Sequence, residues 1–110
     1  MMTSYIALDL ETTGLESKTE KITEAAALKV IDGTVRERFV TLINPGRPIS
    51  EKITQLTGIT DEMVRTAPLM ENVIGELLAF CEGLPLLGHN ILFDYRFLKQ
   101  AAVNSRLECE

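Results

Sequence analysis

With 110 residues, 45% of them apolar and 25% charged, the chain has material for one ordinary globular domain and no more. A net charge of −5 argues against a protein that holds nucleic acid on a broad basic face, but leaves room for carboxylates that serve as cation ligands. The cysteines Cys81 and Cys109 form no CxxC pair, and neither a secretory leader nor an apolar run of membrane length is seen, so a cytoplasmic protein is expected.

In chain order, Tyr5-Ile6-Ala7-Leu8-Asp9-Leu10 is a short apolar run that ends among carboxylates, and Thr12-Thr13-Gly14 supplies turn chemistry. It reads as a largely buried strand that surfaces at its C-terminal end, followed by a polar loop over 15–21. Residues 22–31 could be helix or strand by composition, since Ala25-Ala26-Ala27 favours a helix. The Asp32-Gly33 pair behind them is a two-residue hairpin signal, so 22–31 and 34–44 are taken as two antiparallel strands. Asn44-Pro45-Gly46-Arg47-Pro48 has too few ladder donors to be anything but loop. Ser50 is a plausible cap for a helix to about Leu56, and Thr60 for a short turn to about Arg65. Met70, Val73, Ile74, Leu77, Leu78 and Cys81 share one helical face, with Gly83 as the stop. The segment 84–88 reads as a buried strand, and Asn90 can cap a helix to about Val103 with Phe93, Phe97 and Ala101 facing the core. The order β-β-β-α-α-α-β-α implies an α/β fold, a mixed sheet with packed helices.

The carboxylates carry the chemistry. Asp9 and Glu11 stand two apart on a strand, hence on one face, and repel each other unless a cation or donors intervene. A solvated strand end is the default for an isolated D-x-E, but Thr12-Thr13-Gly14 adds small hydroxyls and a tight turn suited to a phosphate-bearing ligand. Asp94 falls in the first turn of the last helix, where the macrodipole alone would favour it. The strand before that helix brings it to the sheet edge where ligand sites concentrate, so the three acids could converge. Three carboxylates without a His/Cys cluster favour Mg²⁺ or Mn²⁺ over zinc, and two such ions would suit phosphodiester hydrolysis. His89 is the only histidine and reads as a structural hydrogen-bonding group rather than a base. Phe93 is either core or a base-stacking surface. Lys18, Lys21, Arg47, Lys52, Arg65 and Arg96 are scattered, and their default reading is a solvated surface.

Asp9-Leu10-Glu11-Thr12-Thr13-Gly14-Leu15 resembles the first motif of the DEDD exonucleases, and Gly88-His89-Asn90 through Phe93-Asp94 resembles their second. The segments 22–30, 44–49 and 56–61 are similar to that family's second strand and recurring central segments. The resemblance implies a ribonuclease H-like sheet and a 3′→5′ exonuclease with two metal ions. Asp9 would bridge them, Glu11 would complete the tighter site, and Asp94 would hold the second ion largely through water. It further implies that Thr12, Leu15, Thr57 and Phe93 line the 3′-terminal nucleotide, with Thr13, Gly14 and Asn90 beside them. The Thr12-Thr13 pair looks like the DNA-directed members, so a single-stranded DNA 3′ end or a nucleotide monophosphate is the expected ligand and a DNA polymerase an implied partner.

The family's third motif, with its histidine base and fourth aspartate, is not found in Leu107-Glu108-Cys109-Glu110 or before it. The expectation is therefore a single incomplete domain over 1–110, with impaired activity and an uncovered apolar surface that favours dimerisation. Two further readings stay open: a non-catalytic exonuclease-like module that binds a polymerase or nucleic acid, and an RNA-trimming exoribonuclease.

Overall fold

Alternating burial along the first strand sets up everything that follows. The computed structural model describes residues 3–105, and in it β1 (Tyr5–Thr12) buries Ile6, Leu8, Leu10 and Thr12 while the intervening side chains face the other way. β1 runs two residues beyond its expected end, because Thr12 still pairs with Ile22 across an irregularity that follows Glu11.

β2 (Ile22–Ile31) resolves the alanine ambiguity in favour of strand. It is hydrogen-bonded on both edges, to β1 and to β3 (Thr34–Leu42), and the pairing overrides intrinsic helix propensity. Ala25 and Ala27 are fully buried, their small side chains lying beneath the packed helices. The hairpin between β2 and β3 turns on Asp32 and Gly33, both with positive φ, as a type I′ turn requires. β3 is an outer strand, and Arg36, Glu37 and Arg38 lie exposed along it, charges that discourage further strand addition.

β4 (Leu86–Leu87) is shorter than the expected 84–88 and pairs in parallel with Ile6 and Ala7 of β1. Its neighbour Pro85 has no N–H to give, and only its carbonyl joins, accepting from the Ile6 N–H at 2.8 Å. The sheet order is β3-β2-β1-β4, antiparallel through the first three strands and parallel at the last pair.

Four helices follow the expected order: α1 (Glu51–Thr57), α2 (Asp61–Val64), α3 (Ile74–Cys81) and α4 (Ile91–Asn104). The Ser50 and Thr60 side chains accept from the N–H groups of Ile53 and Met63, each at 3.2 Å. Ser50→Ala should therefore cost about 1 kcal/mol in a denaturant titration, the ordinary loss of an N-cap acceptor. The single helix expected over 70–81 is divided: a 3-10 turn (Met70–Asn72) precedes α3, and the break falls at Val73. Its stop also begins one residue early, at Glu82 in the left-handed conformation. The Glu82 carboxylate holds the buried Lys29 ammonium of β2 at 2.5 Å, an attachment that a glycine there could not make.

One face of the sheet meets α3 and α4. Ile6, Leu8, Leu10, Ile74, Leu77, Phe97, Leu98 and Ala102 form its core, and Cys81 is buried among them as expected. Ile49, Ile59 and Val64 make a second, smaller cluster beneath α1 and α2. Among the described residues no helix is long and apolar enough to cross a membrane.

Candidate active site

Because β1 buries its even-numbered side chains, Asp9 and Glu11 emerge on the opposite face, Asp9 exposed and Glu11 half-buried. Parallel pairing with β4 carries the chain to the same edge of the sheet, and α4 starts there with Asp94 in its first turn. The approach is close: a Cβ on Gly88 would lie 2.7 Å from the Leu8 carbonyl oxygen and 3.8 Å from Asp94 Oδ2. Glycine at 88 thus lets β4 run against β1 and leaves Asp94 beside the carboxylate end of that strand.

The charges of the three acids act on one another. Asp94 is only 5% exposed, and its carboxyl is pushed up to about 6, first by burial and then by the charge of Asp9. A backbone hydrogen bond from Leu10 pulls the other way, and Glu11 adds a smaller push upward. Glu11 is also raised, by burial, by Asp9 and by Glu24, which faces it directly across the β1–β2 ladder. Like charges placed so are destabilising. Among the described residues none of these four carboxylates is ion-paired.

A hard divalent cation fits this donor set, since it would relieve a repulsion that no side chain among the described residues neutralises. Asp9, Glu11 and Asp94 are the residues that would hold it. Among the described residues, however, no three acidic, histidine or cysteine side chains converge as a ready-made metal cluster. The arrangement is a pair on β1 with a third acid from α4.

The RNase_T exonuclease family matches this chain over residues 6–110. The chain belongs to the exonuclease family. A DNA polymerase III PolC-type from Thermotoga petrophila is 42% identical over 96 residues, which is 87% of this chain but 7% of that protein. Exonuclease X, solved in complex with 5′ overhanging duplex DNA, superposes with a TM-score of 0.70 at 34% identity, over 84% of this chain and 52% of its own. A zinc-bound form of the E. coli exonuclease I–single-stranded DNA complex superposes with a TM-score of 0.83 at 17% identity, over 98% of this chain and 25% of its own. The ribonuclease H-like fold expected from the motifs is thus shown, and the exonuclease chain spans well under a tenth of its polymerase relative.

The other expected residues fare differently from one another. Leu15 is 86% exposed, and Phe93 is half-buried with its ring 5.0 Å from that of Phe97; the two line one cleft, and Phe93 directly precedes Asp94. Asn90 is exposed but forms no side-chain cap on α4, contrary to the expected cap; only its carbonyl engages, accepting from the N–H groups of Phe93 and Asp94. The remaining hydroxyls hold their own loops. Thr12 Oγ1 donates to the Gly14 carbonyl at 2.7 Å, and Thr13 Oγ1 donates to Glu20 and accepts from the Lys21 N–H. The Thr13 N–H is likewise taken by the Lys21 carbonyl, so this turn offers fewer free donors than the sequence suggested. Thr57 Oγ1 donates to the Ile53 carbonyl and accepts from the Ile59 N–H, closing α1.

His89 is exposed, and no hydrogen bond reaches its ring among the described residues, so the structural role expected for it is not seen. It precedes α4 and lies outside both the ladder and the helix. Sequence reasoning passed over two residues that shape the site. Glu24 was legible only through the hairpin register, and Gly88 only through the parallel pairing of β4.

Proposed function

We propose that this chain carries the acidic residues of a 3′→5′ exonuclease site that hydrolyses the terminal phosphodiester of a single DNA strand with two divalent cations, Mg²⁺ or Mn²⁺. The observation that carries the reading is the Asp94 carboxyl, buried at the start of α4, raised first by that burial and then by Asp9, and neutralised by no ion pair among the described residues. Cations bound there would activate a water and stabilise the leaving 3′-oxygen. Water adds to phosphorus, the 3′-oxygen departs with a proton, and a nucleoside 5′-monophosphate is released. Asp9 and Glu11 anchor the charge at the strand end, and Asp94 fixes the far side of the site from α4. Leu15 and Phe93 hold the terminal nucleotide by apolar contact, which is tolerant of base identity.

The PolC-type relative motivates a polymerase as the working partner, and the DNA-bound neighbours favour DNA over RNA. His89, the single histidine, makes no hydrogen bond to the acids among the described residues, and turnover by this chain alone is expected to be slow. That same observation supports the second reading, a module that binds a strand without cutting it.

A 5′-labelled DNA oligonucleotide incubated with the chain and Mn²⁺ should shorten one nucleotide at a time from its 3′ end, and Asp9→Ala should abolish the ladder. Strand binding and Mn²⁺-linked thermal stabilisation without any shortening would favour the non-cutting module. Shortening of RNA in preference to DNA would instead make the chain an exoribonuclease.

A further inference from the structure

A cleft of about 290 Å³ opens between the 15–18 loop and one side of α4, lined by Leu15, Lys18, Phe93, Arg96 and Phe97, with Glu16 and Ser17, and Phe93 is the chain neighbour of Asp94. Successive α-helical residues are about 100° apart, so going round α4 from Asp94 one meets Phe97 and Phe93 first and then Arg96. Round α4 the aromatic side chains of the cleft are therefore nearest to Asp94 and the guanidinium farthest from it. Lys18 stands on the opposite wall, and both cations are exposed. Neither is ion-paired among the described residues, unlike Lys29 and Arg47. The only acid in the lining, Glu16, turns a carboxylate oxygen toward its own loop, where it accepts from the Lys18 N–H at 3.2 Å.

In a chain of net charge −5, two unpaired cations across one cleft, reached over apolar surface, match a strand of bases and phosphates. We propose that Lys18 and Arg96 grip backbone phosphates of the substrate strand 5′ of the scissile bond, beyond the terminal nucleotide that lies over Leu15 and Phe93. The proposal rests on the exonuclease reading and adds to it a binding track: the acids act on the terminal phosphodiester, while these two side chains hold the uncut strand behind it. Because the contacts are to phosphate, they would set affinity and strand length dependence without selecting a sequence.

Binding of a 5′-fluorescein-labelled (dT)12 strand to the 110-residue chain, followed by anisotropy with Ca²⁺ across a salt series, tests this. Lys18→Gln/Arg96→Gln should weaken binding roughly tenfold and flatten the salt slope by about 1.4, at ~0.7 for each lost single-strand phosphate contact. Arg36→Gln/Arg38→Gln, on the outer strand β3, should leave both quantities unchanged. Equal affinity and slope for the Lys18/Arg96 variant and the unmodified chain would overturn the proposal, as would equal losses in both double variants. Mn²⁺-linked thermal stabilisation that Asp9→Ala removes reports on the metal site separately. If the unmodified chain shows it but binds no strand, the cleft assignment alone falls; if it shows neither, the exonuclease reading falls with it.

Discussion

Asp94→Asn should make the metal-free protein more stable at neutral pH, by about 1–2 kcal/mol, while weakening its response to Mn²⁺. The folded carboxyl titrates at about 6 against an ordinary value of 3.8, so the native state binds this proton more tightly than the unfolded chain does. Its favourable contribution is complete below about pH 4 and is lost as the pH rises towards 6. Above that, the folded protein carries a buried charge facing Asp9 and Glu11. The full shift corresponds to about 3 kcal/mol at 1.36 kcal/mol per unit, and the lower figure allows for solvent around the exposed Asp9. An amide has the shape of the carboxyl, keeps an oxygen for the Leu10 N–H and carries no charge at any pH. Denaturant titrations of both proteins from pH 4 to 7, with metal chelated, check the claim. The difference should open with rising pH, and parallel stability curves would show that Asp94 does not feel its neighbours.

The same charges should make stability depend on cations in the opposite sense. A divalent ion relieves the repulsion that protonation otherwise relieves, so stabilisation by Mn²⁺ should grow as pH rises through the range where Asp94 ionises. Such repulsion would suit the proposed cation site, and the core on the other face of β1 offsets it. Ile6, Leu8 and Leu10 are nearly completely buried, which pins the strand that carries Asp9 and Glu11.

Where hydrophobic alternation and turn chemistry spoke together, the sequence was sufficient. Asp32-Gly33 marked the hairpin, Ser50 and Thr60 marked their helices, and Ile74, Leu77 and Cys81 marked the α3 face, although the break at Val73 that divides the expected helix left no such mark. Asp9 and Glu11 were legible for the same reason, since a two-residue spacing on a strand fixes a common face. What escaped depended on partners distant in the chain. The pairing of Glu24 opposite Glu11 comes from register, and the left-handed Glu82 is tied to Lys29, 53 positions away. The Thr13 hydroxyl bridges Glu20 and the Lys21 N–H, contacts seven and eight positions along the chain that no local pattern announces. Lys18 and Arg96 looked like solvated surface because nothing local reveals that a loop and a helix put them across one cleft.

Gly88→Ala should be the most damaging small substitution, costing about 3 kcal/mol, at the upper end for an overpacked site. The added methyl would sit 2.7 Å from the Leu8 carbonyl oxygen, inside any tolerable contact, and 3.2 Å from Ile91 Cδ1. The second neighbour is a flexible side-chain tip and can turn away. The first is backbone in the middle of β1, held in register with Ala27 of β2, and cannot retreat without opening the central ladder. Relief then comes from β4 moving away from β1, which takes the start of α4 and Asp94 with it. The variant should therefore lose stability and Mn²⁺-linked stabilisation together, whereas Asp94→Asn gains the first as it loses the second. Removing the soft contact separates the causes: Gly88→Ala/Ile91→Val should recover little of the Mn²⁺ response if the carbonyl is the obstacle. Full recovery in that double variant would place the strain on Ile91 and free the sheet edge from its dependence on glycine.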